Sequence, residues 1–176
     1  MSERTRKALV ECGALLYGDF TLASGKKSGY YIDIKKASTD PQVLSLIAEE
    51  MSSLLAMKGM KVDRIAGVVL GSIPLAVALS LKTGIPFIMV RKEKKDHGTT
   101  KLIEGAYSRG EKVLVVEDVV TSAGSALYAI EVLRGEGLTV ENVFSVVDRE
   151  EGGRKKLEEV GVELSSLVTA TDVLRK

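Results

Sequence analysis

The stretch Val113-Leu-Val-Val-Glu-Asp-Val-Val-Thr-Ser-Ala-Gly-Ser-Ala126 decides the fold. It opens with four apolar, mostly β-branched residues and no polar alternation, the pattern of a strand buried on both faces of a parallel sheet. Two adjacent carboxylates, Glu117 and Asp118, close that strand, and a turn of small residues leads into a helix over 125–137. Successive backbone amides in such a turn, with a helix N-terminus behind them, form a receptor for a phosphate dianion. Thr121, Ser122 and Ser125 add hydroxyl donors. Glu117 and Asp118 would repel a phosphate unless they face hydroxyls or a cation, so they are placed to hold sugar hydroxyls while a divalent metal neutralises nearby phosphates.

Working outward, the same alternation recurs. Asp40-Pro41 reads as an N-cap and first helical position, and Val43, Leu46, Ile47, Met51, Leu54 and Leu55 follow at helical spacing up to Gly59. Residues 65–70 (IAGVVL) read as a strand, 74–81 (PLAVALSL) as a helix, 87–90 (FIMV) as a strand and 143–147 (VFSVV) as another. Strands alternating with helices predict an α/β fold, a parallel sheet flanked by helices. A helix from about Ser2 to Tyr17 and a hairpin or irregular piece from Phe20 to Asp33 fit less well and are expected to form a small N-terminal cap over 1–38 on a single domain spanning 1–176.

Composition sets the outer limits. Of 176 residues, 45% are apolar and 28% charged, which suits a globular core and excludes a disordered or collagen-like chain. Lys and Arg number 25 against 24 Asp and Glu, so no global field draws the chain to nucleic acid or a membrane surface. No apolar run nears the ~20 residues of a membrane span, and the N-terminal segment lacks the apolar core of a signal peptide. Cys12 is the only cysteine, so it forms no internal bridge; it is expected to be a small buried apolar residue in a reducing, cytoplasmic setting.

In open parallel sheets ligands bind beyond the carboxyl ends of the strands. Here those ends carry Gly71-Ser72, then Arg91-Lys92, then Glu117-Asp118, then Asp148-Arg149. The segment 91–110 is long for a connection, and its start, RKEKKDHGTTK, holds five basic residues against two acidic ones. It is either a solvated surface or a loop whose Lys92, Lys94, Lys95 and His97 neutralise a polyanion. Arg149 either pairs with Glu150 or Glu151 or offers its planar fork to a carboxylate or imide edge. Tyr30 and Tyr31 read as packing residues, with a base-stacking platform as the alternative. Neither GxGxxG nor GxxxxGK[ST] occurs, which argues against dinucleotide and nucleoside triphosphate folds.

These motifs resemble a known family. EDVVTSAGS (117–125) is similar to the phosphoribosyl pyrophosphate signature of type I phosphoribosyltransferases, and RKEKKDHG (91–98) looks like the catalytic loop of the orotate branch. FTLASGKKSGYYID (20–33) and GSIPLAVALS (71–80) resemble that branch's N-terminal motif and pyrophosphate loop, in family order.

The resemblance implies a homodimer that converts orotate and phosphoribosyl pyrophosphate, with Mg²⁺ bound to the substrate pyrophosphate, to orotidine 5′-monophosphate and pyrophosphate. It implies pyrophosphate-side contacts from Arg91, Lys92, Lys95 and His97, on a loop over 91–101 that reaches the neighbouring subunit. It also implies ribose contacts from Glu117 and Asp118, and a 5′-phosphate wrapped by Val119, Val120, Thr121, Ser122, Ala123, Gly124 and Ser125. Orotate would meet Thr121 and Arg149, and Lys95, Glu117 and Asp118 would carry the catalysis. No protein metal site is implied.

Three positions depart from the family pattern: Ala23 stands where many members have lysine, Ile32 replaces the second of an aromatic pair, and Ala123 replaces a frequent glycine. The last departure predicts a turn that avoids positive φ at Ala123. Two rivals remain from the sequence. One is a regulator of the same fold that binds without turnover, against which the intact loop with Lys95 and His97 speaks. The other is an enzyme for another base, against which Arg149 speaks, since uracil and purines lack a carboxylate.

Overall fold

The chain is described by a computed structural model covering residues 2–21, 27–92 and 101–174. It begins with α1 (Glu3–Glu11) and an antiparallel hairpin of β1 (Leu15–Thr21) and β2 (Lys27–Ile32). Next come α2 (Ile34–Ser38), α3 (Pro41–Met57), β3 (Arg64–Val68), α4 (Ile73–Thr83), β4 (Phe87–Val90) and β5 (Ile103–Glu104). Then follow β6 (Lys112–Val120), α5 (Gly124–Gly135), β7 (Thr139–Asp148), α6 (Gly153–Glu159), β8 (Glu163–Thr169) and α7 (Ala170–Leu174). Six strands form the main sheet in the order β5-β4-β3-β6-β7-β8.

The unbroken hydrocarbon of β6 has a simple cause. Leu114 and Val116 enter a core shared with Leu9, Ile47, Met51, Leu75 and Leu79, beneath α1, α3 and α4. Val113 and Val115 enter the opposite core with Ala126, Ala129, Leu133 and Leu157, beneath α5 and α6. Successive side chains point to opposite faces, and both faces are covered. The Asp40-Pro41 start of α3 forms as read: Asp40 accepts hydrogen bonds from the Gln42 and Val43 amides, at 2.9 and 3.1 Å.

Several boundaries differ from the sequence reading. The N-terminal helix stops at Glu11 rather than near Tyr17, because Gly13 takes a φ of +70° and turns the chain into the hairpin. The strand starting at Val113 runs on to Val120, so Glu117 and Asp118 lie inside it; β7 continues alongside, pairing Glu117 with Ser145 and Val120 with Asp148. The sheet is parallel except for β5, two residues of the supposed long loop that pair antiparallel with β4. The sequence reading assigned nothing after Arg149, where α6, β8 and α7 form. Cys12 is half-buried, its Sγ 3.6 Å from the Leu9 carbonyl. Among the described residues no helix is long and apolar enough to cross a membrane.

The hairpin is tied to the C-terminal end of the chain. The Tyr17 hydroxyl donates to the Val173 carbonyl at 2.9 Å, and the Ser2 amide donates to the Leu167 carbonyl at 2.8 Å. Buried Tyr30, on β2, joins the core under α1 and α3, which brings the hairpin beside the C-terminal end of β7.

Candidate active site

Glu117 is a carboxylate only 3% exposed, at the open end of the central strand. Its Oε2 accepts a 2.5 Å hydrogen bond from the Ser72 hydroxyl, itself buried, and its Oε1 has no partner. Burial pushes its pKa up to about 7, with the neighbouring Asp118 charge acting in the same direction and the Ser72 hydrogen bond opposing. An unsatisfied buried carboxylate oxygen costs roughly 1–3 kcal/mol or more, a cost that points to a ligand group.

Glu117 lines a hollow of about 210 Å³ with Val119, Val120, Thr121, Ser122, Ala123, Gly124, Ser125 and Ala126. Every residue the sequence assigned to a phosphate cradle is therefore gathered around one space. No side chain caps α5, and the N–H groups of a helix's first turn can receive an anion. Ala123 sits at φ +62°, against the expectation of an ordinary turn. The strain is tolerated because methyl is the smallest side chain that can suffer it and the neighbours fix the backbone. The Leu127 amide donates to the Ala123 carbonyl at 2.9 Å, and Gly153 packs from below.

Gly153 supports the cradle directly. Its amide donates to the Thr121 carbonyl at 3.0 Å, and a Cβ there would lie 2.6 Å from that oxygen and 2.6 Å from Val120 Cγ1. Gly71 makes a similar close approach on the other side, where a Cβ would stand 2.4 Å from Asp118 Oδ2. The turn after β3 thus rests against both acidic residues of β6, Gly71 on Asp118 and Ser72 on Glu117.

Arg91 and Lys92 follow β4 and line a second cleft, of about 510 Å³, with Val69, Met89 and Glu104. Arg91 pairs with Glu104 at 3.3 Å. The Tyr128 hydroxyl, on α5, donates to the Arg91 and Lys92 carbonyls at 3.0 and 3.3 Å and joins this cleft to the cradle helix. Lys94, Lys95, His97, Ala23 and Lys26 lie outside the described residues.

Arg149 stands beyond β7 and is joined to the cradle through its backbone, whose amide donates to the Val120 carbonyl at 2.9 Å. Of the two sequence readings of its side chain, the pairing with Glu151 forms. Nε pairs with Glu151 at 2.9 Å, yet the side chain is only 13% exposed, with the guanidinium carbon 5.2 Å from the Tyr30 ring centre. Tyr30 is a packing residue, as read. Tyr31, read the same way, is instead 44% exposed, with its ring centre 5.6 Å from that of Phe20.

Sequence reasoning missed the supports. Gly71-Ser72 was visible as a strand end, but nothing local showed Ser72 reaching Glu117 from 45 residues away. The adjacent glycines Gly152 and Gly153 were a signal left unread. Asp148, 1% exposed, holds the Glu150 amide and Arg154 and so fixes the turn that carries Arg149. Among the described residues no group of three or more His, Cys, Asp or Glu side chains is arranged to hold a metal.

Comparison with known proteins places this geometry. The phosphoribosyl transferase domain model matches residues 36–171. The orotate phosphoribosyltransferase of Methanosarcina mazei is 54% identical over 168 residues, covering 96% of this chain and 89% of that protein. The crystal structure of orotate phosphoribosyltransferase from Aeropyrum pernix superposes with a TM-score of 0.85 at 37% identity, covering 96% of this chain and 95% of that one. The Mycobacterium tuberculosis H37Rv orotate phosphoribosyltransferase in complex with 5-phospho-alpha-D-ribosyl 1-diphosphate gives 0.79 at 31% identity, covering 97% and 98%.

Proposed function

The chain belongs to the phosphoribosyl transferase domain family, and we propose that it is an orotate phosphoribosyltransferase of pyrimidine nucleotide synthesis, moving the phosphoribosyl group of phosphoribosyl pyrophosphate to orotate. One observation carries the reading. A buried, half-satisfied carboxylate and an uncapped helix N-terminus share one hollow, an acceptor for sugar hydroxyls beside a donor set for a phosphate.

In this reading the turn over Thr121–Ser125 and the start of α5 hold the 5′-phosphate, while Glu117 and Asp118 accept from the ribose hydroxyls. Thr121 and Arg149 hold orotate, with the guanidinium facing its carboxylate. The bond from the anomeric carbon to the base nitrogen forms as the bond to pyrophosphate breaks. The protein's part is to align the two substrates and neutralise the leaving group, which requires no covalent nucleophile. Arg91, Lys92, Lys95 and His97 provide the positive charge for the departing pyrophosphate.

Mg²⁺ bound to the substrate pyrophosphate would supply charge neutralisation there, leaving Glu117 and Asp118 to the ribose hydroxyls. When ionised, Glu117 and Asp118 offer only acceptors, which suits a sugar ring whose phosphates already carry a cation. The enzyme works as a homodimer in the cytoplasm, each loop over 91–101 reaching the partner's site. Exposed Met57, Leu70 and Leu81, 81, 73 and 82% exposed, supply apolar surface for another copy to cover. The cap over 1–38 and the sheet act as one domain.

The test is loss of orotate ultraviolet absorbance in the presence of phosphoribosyl pyrophosphate and Mg²⁺. Turnover that disappears in Lys95→Ala supports the reading and the loop's role. Binding of phosphoribosyl pyrophosphate with no turnover would replace the enzyme with a regulator of the same fold.

A further inference from the structure

Ser72 occupies the N-cap of α4, where a serine hydroxyl ordinarily accepts from an amide of the first helical turn. Here it makes no capping bond. The hydroxyl instead donates to Glu117 Oε2 across 45 residues of sequence, with the serine 1% and the glutamate 3% exposed. Forgoing a cap is unfavourable, and local rules are broken in this way mainly at functional sites.

The bond fixes which carboxylate oxygen is free. With Oε2 engaged by Ser72, Oε1 is the oxygen without a partner, on a residue that lines the cradle hollow. Two neighbours hold the serine in place. The Ala76 amide donates to the Ser72 carbonyl at 3.0 Å, and a Cβ on Gly71 would stand 2.4 Å from Asp118 Oδ2. A carboxylate that must meet a hydroxyl with one particular oxygen gains from having its rotation stopped beforehand.

We propose that Ser72 is a positioning residue for the transferase reaction, acting through Glu117 to present Oε1 to a ribose hydroxyl of phosphoribosyl pyrophosphate. The inference rests on the function proposed above and extends it to the turn after β3. The serine itself touches no substrate in this account. Its contribution is to join the turn after β3 to the sugar-binding end of β6, so that the two strand ends act as one site.

The experiment is a double-mutant cycle on phosphoribosyl pyrophosphate affinity, measured by calorimetry on the full chain with Mg²⁺. Ser72→Ala should weaken binding about ten-fold, as expected for a lost hydrogen bond to a charged group. In a Glu117→Gln background the same change should alter affinity less than two-fold, because the carboxylate it orients is gone. Ser72→Cys, with a weaker donor of similar size, should fall between serine and alanine. Equal losses from Ser72→Ala in both backgrounds, or a Ser72→Ala protein that binds like the wild type, would overturn the proposal. Failure of the wild type to bind phosphoribosyl pyrophosphate would instead overturn the functional reading beneath it.

Discussion

The guanidinium of Arg149 lies over the ring of Tyr30, its central carbon 5.2 Å from the ring centre. Glu151 takes the Nε edge at 2.9 Å, so one face and one edge of the planar group are engaged by the protein. In the proposed reading the two terminal nitrogens, with the spacing of a carboxylate's oxygens, meet the carboxylate of orotate. Arg149→Ala should raise the KM for orotate about a hundred-fold, the scale of roughly 3 kcal/mol for a charge-assisted pair. The KM for phosphoribosyl pyrophosphate should stay within about two-fold. Steady-state kinetics with each substrate varied in turn checks this, and equal losses in both would remove Arg149 from the base site.

Ala123 bears a φ of +62° in the middle of the cradle. Ala123→Gly relieves about 1 kcal/mol of backbone strain, and should raise the melting temperature by about 3 °C for a chain of this size with orotate turnover retained. A lower melting temperature would mean that the loss of unfolded-chain restriction outweighs the strain.

Gly153 leaves no room for a methyl group below Thr121 and Val120. Gly153→Ala should therefore shift the cradle, destabilise the fold by about 1–3 kcal/mol and raise the KM for phosphoribosyl pyrophosphate by about ten-fold. Thermal melts and kinetics on one preparation test both. An unchanged KM would show that the cradle adapts without cost.

Glu117 titrates near 7 in the folded chain because burial disfavours its charge. The folded state then holds a proton that the unfolded chain has released, so stability falls as pH rises from the ordinary glutamate range through about 7 and levels off above it. Melting temperatures of the unliganded protein at pH 5 and pH 8 should show a decline that is smaller in Glu117→Gln. An equal decline in the two proteins would assign the slope to other groups.

Much of this architecture is readable from sequence because a parallel strand covered on both sides needs unbroken hydrocarbon. FIMV at 87–90 needed no revision, and Asp40-Pro41 starts its helix where read. Periodicity could not show where β6 ends, since Glu117 and Asp118 look like strand terminators until β7 is known to run beside them. The cradle residues were legible because small side chains between a strand and a helix have one evident use. Their supports were not: Ser72 on Glu117 and Tyr30 on Arg149 meet only through tertiary packing. Ala123 misled in a different way, its type arguing for an ordinary turn that the surrounding hydrogen bonds override.

The identity of the base is decided by kcat/KM for orotate, uracil, hypoxanthine and adenine at fixed phosphoribosyl pyrophosphate and Mg²⁺. A carboxylate-selecting arginine predicts that orotate exceeds uracil, which differs from it only by that carboxylate, by at least about a hundred-fold, with no purine turnover. Uracil or a purine turned over as well as orotate would contradict the account.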